Sequence, residues 1–292
     1  MLKQRIITAV LLLPLVGILL FVLSLHEFAA ALVIVLYLMA WEWGRLGDLR
    51  SGMARSFYAM LVALSALGVW YLAPALEFWP STWFIEWHLT STLVVYWLSF
   101  VAWACAFLMM LLSAKHRSFW ASHHWPRLLL GWIILLGFWV SVIAIQGSST
   151  IVEPYRGAYL VLFMLFMIWG ADVGGYLFGK LWGKRKLAPA ISPGKTWEGA
   201  LGGVFLSSVV ATVGIFVLDL PTAHPLAVVA AVLLLVVVSV LGDLFESLLK
   251  RQVQIKDSSQ LLPGHGGLLD RLDSTIAVAP FYVLVAKLLG WI

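Results

Sequence analysis

The chain has 292 residues, of which 62% are hydrophobic and only 11% are charged, and its mean hydropathy is +0.98. This composition excludes an ordinary soluble globular domain, whose water-facing surface would need many more charged residues. Its single cysteine, Cys105, excludes a disulfide framework and a Cys-based metal site, and its net charge of +5 comes without the soluble basic surface that nucleic-acid binding needs. We therefore predict an all-α, polytopic integral membrane protein that does not bind nucleic acid.

Nine apolar stretches approach the roughly 20 residues that a helix needs to cross the hydrocarbon core of a membrane. They cover about residues 6–25, 28–46, 57–73, 90–112, 128–146, 157–179, 197–218, 225–249 and 274–291. The first stretch contains Pro14 and lacks a small-residue cleavage site, so we expect a retained span and not a signal peptide. Residues 74–89 are rich in tryptophan, which predicts a short helix on the outer surface.

The distribution of Lys and Arg predicts the orientation of the spans. If the N-terminus is cytoplasmic, all but two of the 19 Lys and Arg residues fall in cytoplasmic segments, the exceptions being Arg156 and Lys287. We therefore expect a cytoplasmic N-terminus and a C-terminus on the outside. Because no internal repeat or long linker is visible, residues 1–292 are predicted to form a single membrane-embedded domain, with a helical scaffold at 1–150 and a catalytic half at 151–292.

The first five stretches carry few polar residues, and Glu42 is their main internal acid. It lies one turn before Arg45, so an interfacial ion pair between the two side chains is the expected explanation for it. The sixth stretch differs because it contains Asp172 in WGADVGGYLFGK. A charged side chain at the centre of a span costs about 2.5–3.5 kcal/mol, which predicts that Asp172 faces a wet cavity and is functional, unless it pairs with Lys180 or Lys184 near the interface.

The loop GKRKLAPAISPGKTWEGALGG leads from the sixth stretch into the seventh. Its first basic residues are explained by topology and by contact with anionic lipid headgroups. Lys195 and Thr196, by contrast, stand at the expected start of a helix, after Ser192 and a Pro-Gly turn. Since a helix N-terminus offers unpaired N–H groups, we predict an anion site at this point.

The segment from Ser247 to Asp273 concentrates acids, bases, glycines and a histidine in an otherwise apolar chain. Acids flank its loop at helical spacing, with Asp243 and Glu246 before it and Asp270 and Asp273 at its end. This pattern suits a divalent cation that carries a polyphosphate, because carboxylates bind the metal while Lys, Arg and glycine N–H groups bind phosphate.

The predicted spans bring five acids to one depth on the cytoplasmic side, namely Asp172, Asp243, Glu246, Asp270 and Asp273. These carboxylates would repel one another without a neutralising cation, and oxygen-only ligands favour Mg²⁺. The alternative is that they form ion pairs with Lys250, Arg251 and Arg271. His265, in PGHGG, is open to three interpretations: a proton carrier, a phosphate donor or a turn residue.

The same residues resemble the signature of the phosphatidate cytidylyltransferases, also called CDP-diacylglycerol synthases. The matching positions are Ser247, Lys250, Arg251, Lys256, Asp257, Ser259, Leu262, Pro263, His265, Gly266, Gly267, Asp270, Arg271 and Asp273. The segments ISPGKTWEG and WGAD and the nine-span layout also look like that family, so the resemblance covers essentially the whole chain. Val173 departs from the Ser or Thr that is usual after the aspartate, which puts in doubt a hydroxyl contribution beside Asp172.

The resemblance implies that CTP and phosphatidic acid give CDP-diacylglycerol and pyrophosphate, with Mg²⁺ required and a second cation left open. The implied metal ligands are Asp243 and Asp270, supported by Asp172, Asp273 and Glu246. The implied catalytic residues are Asp243, Asp270, Asp172, Lys250 and His265. The implied phosphate-binding residues are Ser192, Lys195, Thr196, Lys250, Arg251, Lys256, Gly264, Gly266, Gly267 and Arg271. The resemblance also implies the bacterial inner membrane, a site that faces the cytoplasm, and lipid substrates held in the bilayer; a homodimer is left open.

Two other functions compete with cytidylyl transfer. A transporter or ion channel is the first, because acids inside the membrane often mark ion paths, but no inverted repeat is visible and the polar residues cluster on one face. A CDP-alcohol phosphotransferase is the second. Its hallmark, an Asp-Gly followed by Ala-Arg and two later acids on one helix, is absent from the sequence.

Overall fold

The computed structural model describes residues 2–72, 91–113, 123–222 and 224–292. Nine helices lie in those residues: α1 Leu2–Phe21, α2 Leu25–Leu46, α3 Gly52–Leu72, α4 Ser91–Ser113, α5 His124–Gln146, α6 Arg156–Trp182, α7 Trp197–Val217, α8 Pro225–Gln252 and α9 Leu269–Leu288. Each predicted stretch corresponds to one of these helices. The surface helix predicted at 74–89 falls outside the described residues.

Seven of the helices found in the described residues, α2 to α8, are long and apolar enough to cross a membrane. In the part of α1 whose side chains are described, Val10–Phe21 forms a shorter apolar helix, and α9 begins with the charged sequence LDRLD. The prediction of a polytopic helical membrane protein is therefore confirmed. The count of nine spans and the orientation of the termini stay predictions.

Helix ends follow local capping chemistry, and some differ from the predicted limits. Ser24 and Glu27 form a capping box at the start of α2, in which each side chain binds the other residue's backbone N–H.

Helix α9 starts at Leu269, about one turn before the predicted position of 274. Asp270 and Asp273 consequently lie on the first turns of a helix, with the three-residue spacing that the sequence indicated.

A short β-hairpin interrupts the helical architecture between α6 and α7. Strands β1 (Lys186–Ala188) and β2 (Ser192–Thr196) pair in antiparallel fashion, with Lys186 opposite Thr196. This hairpin corrects the all-α prediction for this segment. Thr196 ends β2 and caps α7, because its Oγ1 accepts a hydrogen bond of 3.1 Å from the N–H of Gly199. The helix start predicted beside Lys195 and Thr196 is confirmed.

The core is centred on α5, where Trp139, Ile134, Leu135 and Ile143 are completely or almost completely buried. Helices α6 and α7 form the closest pair, because glycines lie at their contact. A Cβ on Gly174 would collide with the backbone carbonyl of Gly202. This close approach fixes the position of α6, which carries Asp172, relative to the hairpin and the start of α7.

Candidate active site

A cleft of about 710 Å³ opens between α6, the hairpin, α7, α8 and the start of α9. Eight of the predicted site residues line it: Asp172, Ser192, Lys195, Thr196, Asp243, Asp270, Arg271 and Asp273. The carboxylates come from three helices, late in α6 and α8 and early in α9. The cleft is therefore a polar pocket at one end of an apolar bundle.

Asp243 forms an ion pair across the cleft with the hairpin. Its Oδ2 lies 2.7 Å from Nζ of Lys195, and its Oδ1 accepts a hydrogen bond of 3.3 Å from the hydroxyl of Ser247, one turn further along α8. Both side chains of the ion pair are partly exposed, at 30% for Asp243 and 25% for Lys195. A ligand in the cleft can therefore reach both the lysine and the aspartate.

A second ion-paired group lies behind the cleft. Nζ of Lys250 is 2.8 Å from Oδ1 of Asp270 and 2.5 Å from Oε2 of Glu246, and the three side chains are largely buried. Glu246 and Lys250 occupy the same face of α8, one turn apart, as their spacing predicted. Lys250 consequently holds α8 against the first turn of α9.

The glycine-rich loop holds the other oxygen of Asp270. Oδ2 accepts hydrogen bonds from the N–H of Ser258 at 2.9 Å, from its hydroxyl at 3.0 Å and from the N–H of Gly267 at 2.8 Å. A Cβ on Gly267 would collide with the hydroxyl of Ser258, so only glycine allows this approach. Asp270 is therefore fixed on one side by backbone and on the other by Lys250.

Several predicted residues do not line the cleft. These are Glu246, Lys250, Arg251, Lys256, Gly264, His265, Gly266 and Gly267. Gly264 and Gly266 have φ angles of 77° and 87°, which form a turn around His265. The carbonyl oxygen of His265 accepts hydrogen bonds of 3.0 and 2.7 Å from Nε and Nη2 of Arg271. His265 thus acts at least as a turn residue that anchors Arg271, and no role of its imidazole follows from these contacts.

The alternative explanation, that the acids only form ion pairs with nearby basic residues, holds for some of the acids. Among the described residues, no salt bridge joins Asp172 to Lys180 or Lys184, and the Lys180 ammonium lies 5.7 Å from the ring centre of Tyr176. Lys250 forms the ion pairs expected of it, whereas Arg271 binds a backbone carbonyl instead of an acid. Ion pairs therefore explain the positions of Asp243, Glu246 and Asp270. Asp172 forms no such pair with Lys180 or Lys184 in the described residues, and its side chain lines the cleft.

The donor set fits a hard divalent cation in chemistry and charge. Its candidate ligands are all carboxylate oxygens, and in and behind the cleft five acids lie among four basic side chains, Lys180, Lys195, Lys250 and Arg271. Within the described part of the chain, however, no three acidic, histidine or cysteine side chains are grouped closely enough to hold an ion. A cation would therefore be held only after the acids move closer together or through intervening water.

The sequence did not identify Glu42 as part of this region, and the predicted ion pair with Arg45 is wrong. Glu42 is completely buried, and its carboxylate accepts hydrogen bonds from the N–H groups of Leu268 and Leu269 at 3.0 and 2.6 Å. Arg45 instead donates to the carbonyl of Ser258 at 3.1 Å. Glu42 was overlooked because its partners lie more than 200 positions away in the sequence.

Glu198 is a second functional neighbour that the sequence did not single out. Its carboxylate accepts hydrogen bonds of 3.1 to 3.2 Å from the N–H groups of Lys184 and Arg185. It therefore joins the first turn of α7 to the segment that precedes β1, and so holds the hairpin that presents Lys195. An acid in the first turn after a capping threonine was the available signal.

Comparisons of the sequence with known proteins identify the family of the chain. The model of the cytidylyltransferase family matches residues 3–289. A phosphatidate cytidylyltransferase of Pseudomonas aeruginosa is 39% identical over 291 residues, which cover 100% of this chain and 99% of that protein. One from Haemophilus influenzae is 35% identical over 287 residues, 97% of each chain. One from Bacillus subtilis is 47% identical over 131 residues, 44% of this chain and 48% of that protein. The chain therefore belongs to the cytidylyltransferase family.

Proposed function

We propose that this protein transfers CMP from CTP to phosphatidic acid, which gives CDP-diacylglycerol and pyrophosphate. Full-length similarity to two phosphatidate cytidylyltransferases supports this reaction. The observation that carries the proposal is the cleft at one end of an apolar helix bundle, where four aspartates meet Lys195 and Arg271. Such a cleft can admit a soluble nucleotide while the acyl chains of the second substrate stay in the bilayer.

The reaction needs positioning more than activation of a nucleophile. An oxygen of the lipid phosphate attacks the α-phosphorus of CTP, a new P–O bond forms, and the bond from that phosphorus to the oxygen bridging the β-phosphorus breaks. Pyrophosphate leaves with the bonding electrons. Because the lipid phosphate is already ionised, no activated serine or cysteine is required, and the protein has to align two anions and stabilise the leaving charge.

Lys195 and Arg271 are the basic side chains that we assign to phosphate binding in the cleft. Lys195 stands on β2 beside Thr196 and the N-terminus of α7, where the positive end of the helix dipole favours an anion. A Cβ on Gly194 would meet nothing within 4 Å, so a phosphate has room to approach the strand. When a phosphate binds, we expect Lys195 to shift from Asp243 toward it, which frees the carboxylate.

We further propose that Mg²⁺ binds among Asp172, Asp243, Asp270 and Asp273, with Glu246 in support. The all-oxygen donor set and the excess of acids over bases in and behind the cleft support this assignment. When bound, the ion supplies positive charge that offsets the repulsion between the two phosphate groups and favours departure of pyrophosphate. A second ion and a homodimer stay expectations from the sequence.

For the membrane arrangement we propose nine spans, a cytoplasmic N-terminus, an outside C-terminus and a cleft that faces the cytoplasm of a bacterial inner membrane. The distribution of Lys and Arg supports this orientation. It also places the cleft on the side where CTP is made. The transporter alternative gains no support from the family to which the chain belongs.

The test is an assay of the purified protein in detergent with labelled CTP and dispersed phosphatidic acid. We expect CDP-diacylglycerol and pyrophosphate in equal amounts with Mg²⁺ and no product after chelation with EDTA. Absence of product with CTP in the presence of Mg²⁺ would remove the proposed reaction. Solute or ion flux into vesicles without CTP would restore the transporter alternative.

A further inference from the structure

A buried acid in the N-terminal half contacts the loop that holds Asp270. Glu42 lies near the end of α2, and its side chain is 0% exposed. It accepts hydrogen bonds from the N–H groups of Leu268 and Leu269 and from the hydroxyls of Ser258 and Ser259. No lysine or arginine of the described residues forms a salt bridge with it. Within the described part of the chain, its carboxylate is therefore held by backbone N–H and hydroxyl groups.

These contacts give α9 a cap that its own sequence lacks. The residue before the helix, Leu268, offers no side-chain hydrogen bond to the first turn. The first N–H groups of a helix have no partner within the helix and attract negative charge. Glu42 supplies both an acceptor and the charge, at 3.0 Å from the N atom of Leu268 and 2.6 Å from that of Leu269. Helix α2 thus caps α9 from another part of the chain.

Glu42 and Asp270 bind neighbouring groups of the same loop. The hydroxyl of Ser258 lies 3.2 Å from Oε2 of Glu42 and 3.0 Å from Oδ2 of Asp270, and its one proton can serve only one of them at a time. The N–H of Gly267 binds Asp270, while the next N–H in the chain binds Glu42. Displacement of either carboxylate would therefore move the groups that hold the other.

We propose that Glu42 is a positioning residue of the active site, which acts through Asp270. By holding Ser258 and the start of α9, it keeps Oδ2 of Asp270 turned toward the loop and Oδ1 toward Lys250. The geometry of a cleft in the C-terminal half thus depends on an acid from the N-terminal half, which makes residues 1–150 more than a scaffold. This role of Glu42 rests on the proposed function, because the assay that tests it measures cytidylyl transfer.

The main test is Glu42→Gln in the purified full-length protein. The amide keeps the size of the side chain, but each carboxylate oxygen accepts from a backbone N–H, so in either orientation the NH₂ group faces a group that cannot accept. We expect kcat to fall about 100-fold, the loss typical of a misplaced active-site group, while KM for CTP stays within about threefold of the wild-type value. Glu42→Asp restores the charge on a shorter side chain, and its kcat should be about tenfold higher than that of Glu42→Gln.

Glu27→Gln is the matched control, because Glu27 also caps a helix N-terminus, on the same helix α2 but away from the loop. We expect its kcat to equal that of the wild type. If Glu42 were only structural, Glu42→Gln would lower the folded fraction and leave the kcat of folded protein unchanged. Wild-type kcat in Glu42→Gln, or an equal loss in Glu27→Gln, would overturn the proposal.

A second pair of variants decides the matter if Glu42→Gln does not fold. Ser258→Ala removes a hydroxyl that contacts both carboxylates, whereas the Ser259 hydroxyl contacts only Glu42 of the two. We expect a larger loss of kcat for Ser258→Ala than for Ser259→Ala, and wild-type kcat in both would refute the positioning role. Hydrogen exchange of the amides of Leu268 and Leu269 can be measured without turnover. In folded Glu42→Gln or Ser258→Ala this exchange should become faster than in the wild type. Unchanged exchange would refute the contact between Glu42 and these amides, even if the proposed reaction failed.

Discussion

The two halves of the molecule differ in where they leave open space for a ligand. Burial differs from helix to helix: the apolar stretch of α5 is 78% buried, whereas that of α3, also in the N-terminal half, is 28% buried and that of α7, in the C-terminal half, is 22% buried. The cleft of about 710 Å³ lies wholly among elements that follow residue 150. The open cleft therefore lies in the C-terminal half, whereas the most buried of the described membrane-length helices lies in the N-terminal half.

The halves also differ in how they satisfy polar groups. In the N-terminal half these groups mostly bind backbone: the indole of Trp43 donates to the carbonyl of Arg127 at 3.0 Å, and Tyr58 donates to that of Leu128 at 2.8 Å. In the cleft, Asp243 pairs instead with the flexible side chain of Lys195. A lysine can exchange a carboxylate for a phosphate, whereas a backbone contact in a packed core cannot, so the Lys195–Asp243 ion pair is suited to respond to a ligand.

The largest expected effect comes from acids of the cleft. Asp243→Asn and Asp270→Asn each remove a charge while keeping the shape of the side chain. We expect each to lower kcat about 1,000-fold, as for loss of a group that stabilises charge in the transition state. The measurement is turnover of labelled CTP with phosphatidic acid by purified protein.

Asp48→Asn provides the control in the N-terminal half. Asp48 is also a partly exposed acid, and its contacts, with Arg50 and His124, are weak and lie away from the cleft. Its replacement should leave kcat unchanged, since the ion pairs of Asp48 involve neither the cleft nor the loop that holds Asp270. Retained activity in either cleft variant would remove that residue from the proposed metal ligands.

A smaller effect is expected at the contact between α6 and α7. Gly174→Ala places a methyl group against the carbonyl of Gly202, and such overpacking typically costs about 1–3 kcal/mol of the free energy of unfolding. Gly68→Ala, in α3, meets no atom within 4 Å and should raise that free energy by about 0.5–1 kcal/mol, because alanine favours helices. Thermal unfolding in detergent measures both.

The two alanine variants also test where activity depends on packing. Gly174→Ala should lower turnover because it moves α6 and therefore Asp172, whereas Gly68→Ala should not. Equal stability and equal turnover in the two variants would mean that the glycine contact does not position the cleft.

Local patterns in the sequence predicted most of the fold and much of the candidate site. Hydrophobic length located the helices, and spacing of three and four residues placed Glu246 and Lys250 on one face of α8. These features depend on neighbours within two turns, which a sequence displays directly. The gathering of Asp172, Asp243, Asp270 and Asp273 around one cleft followed from counting the spans that separate them.

The features that were not predicted depend on contacts between distant segments. Glu42 looked like an interfacial acid because Arg45 is close in sequence, while its hydrogen-bond partners belong to the start of α9. The early start of α9 has the same origin, since the carboxylate that caps its first turn comes from α2. The hairpin was missed because its strands are short and their prolines suggested only a turn.

The smallest expected effect concerns two helix caps, one in each half. Thr196 caps α7 beside the cleft, and Ser24 caps α2 far from it. Thr196→Val and Ser24→Ala should each cost about 1 kcal/mol of the free energy of unfolding, the usual value for a lost N-cap. Thermal unfolding should therefore not distinguish them.

Kinetics should distinguish the two caps. Thr196 adjoins Lys195 and lines the cleft, so a frayed start of α7 should weaken phosphate binding and raise KM for CTP about threefold, the value of roughly one modest hydrogen bond. Ser24→Ala should leave KM unchanged, because α2 contacts the loop beside the site through Glu42 and Arg45, which both lie near its other end. A matching rise of KM in Ser24→Ala would show that loosening anywhere on α2 reaches the cleft, and the two halves would then have to be treated as one mechanical unit.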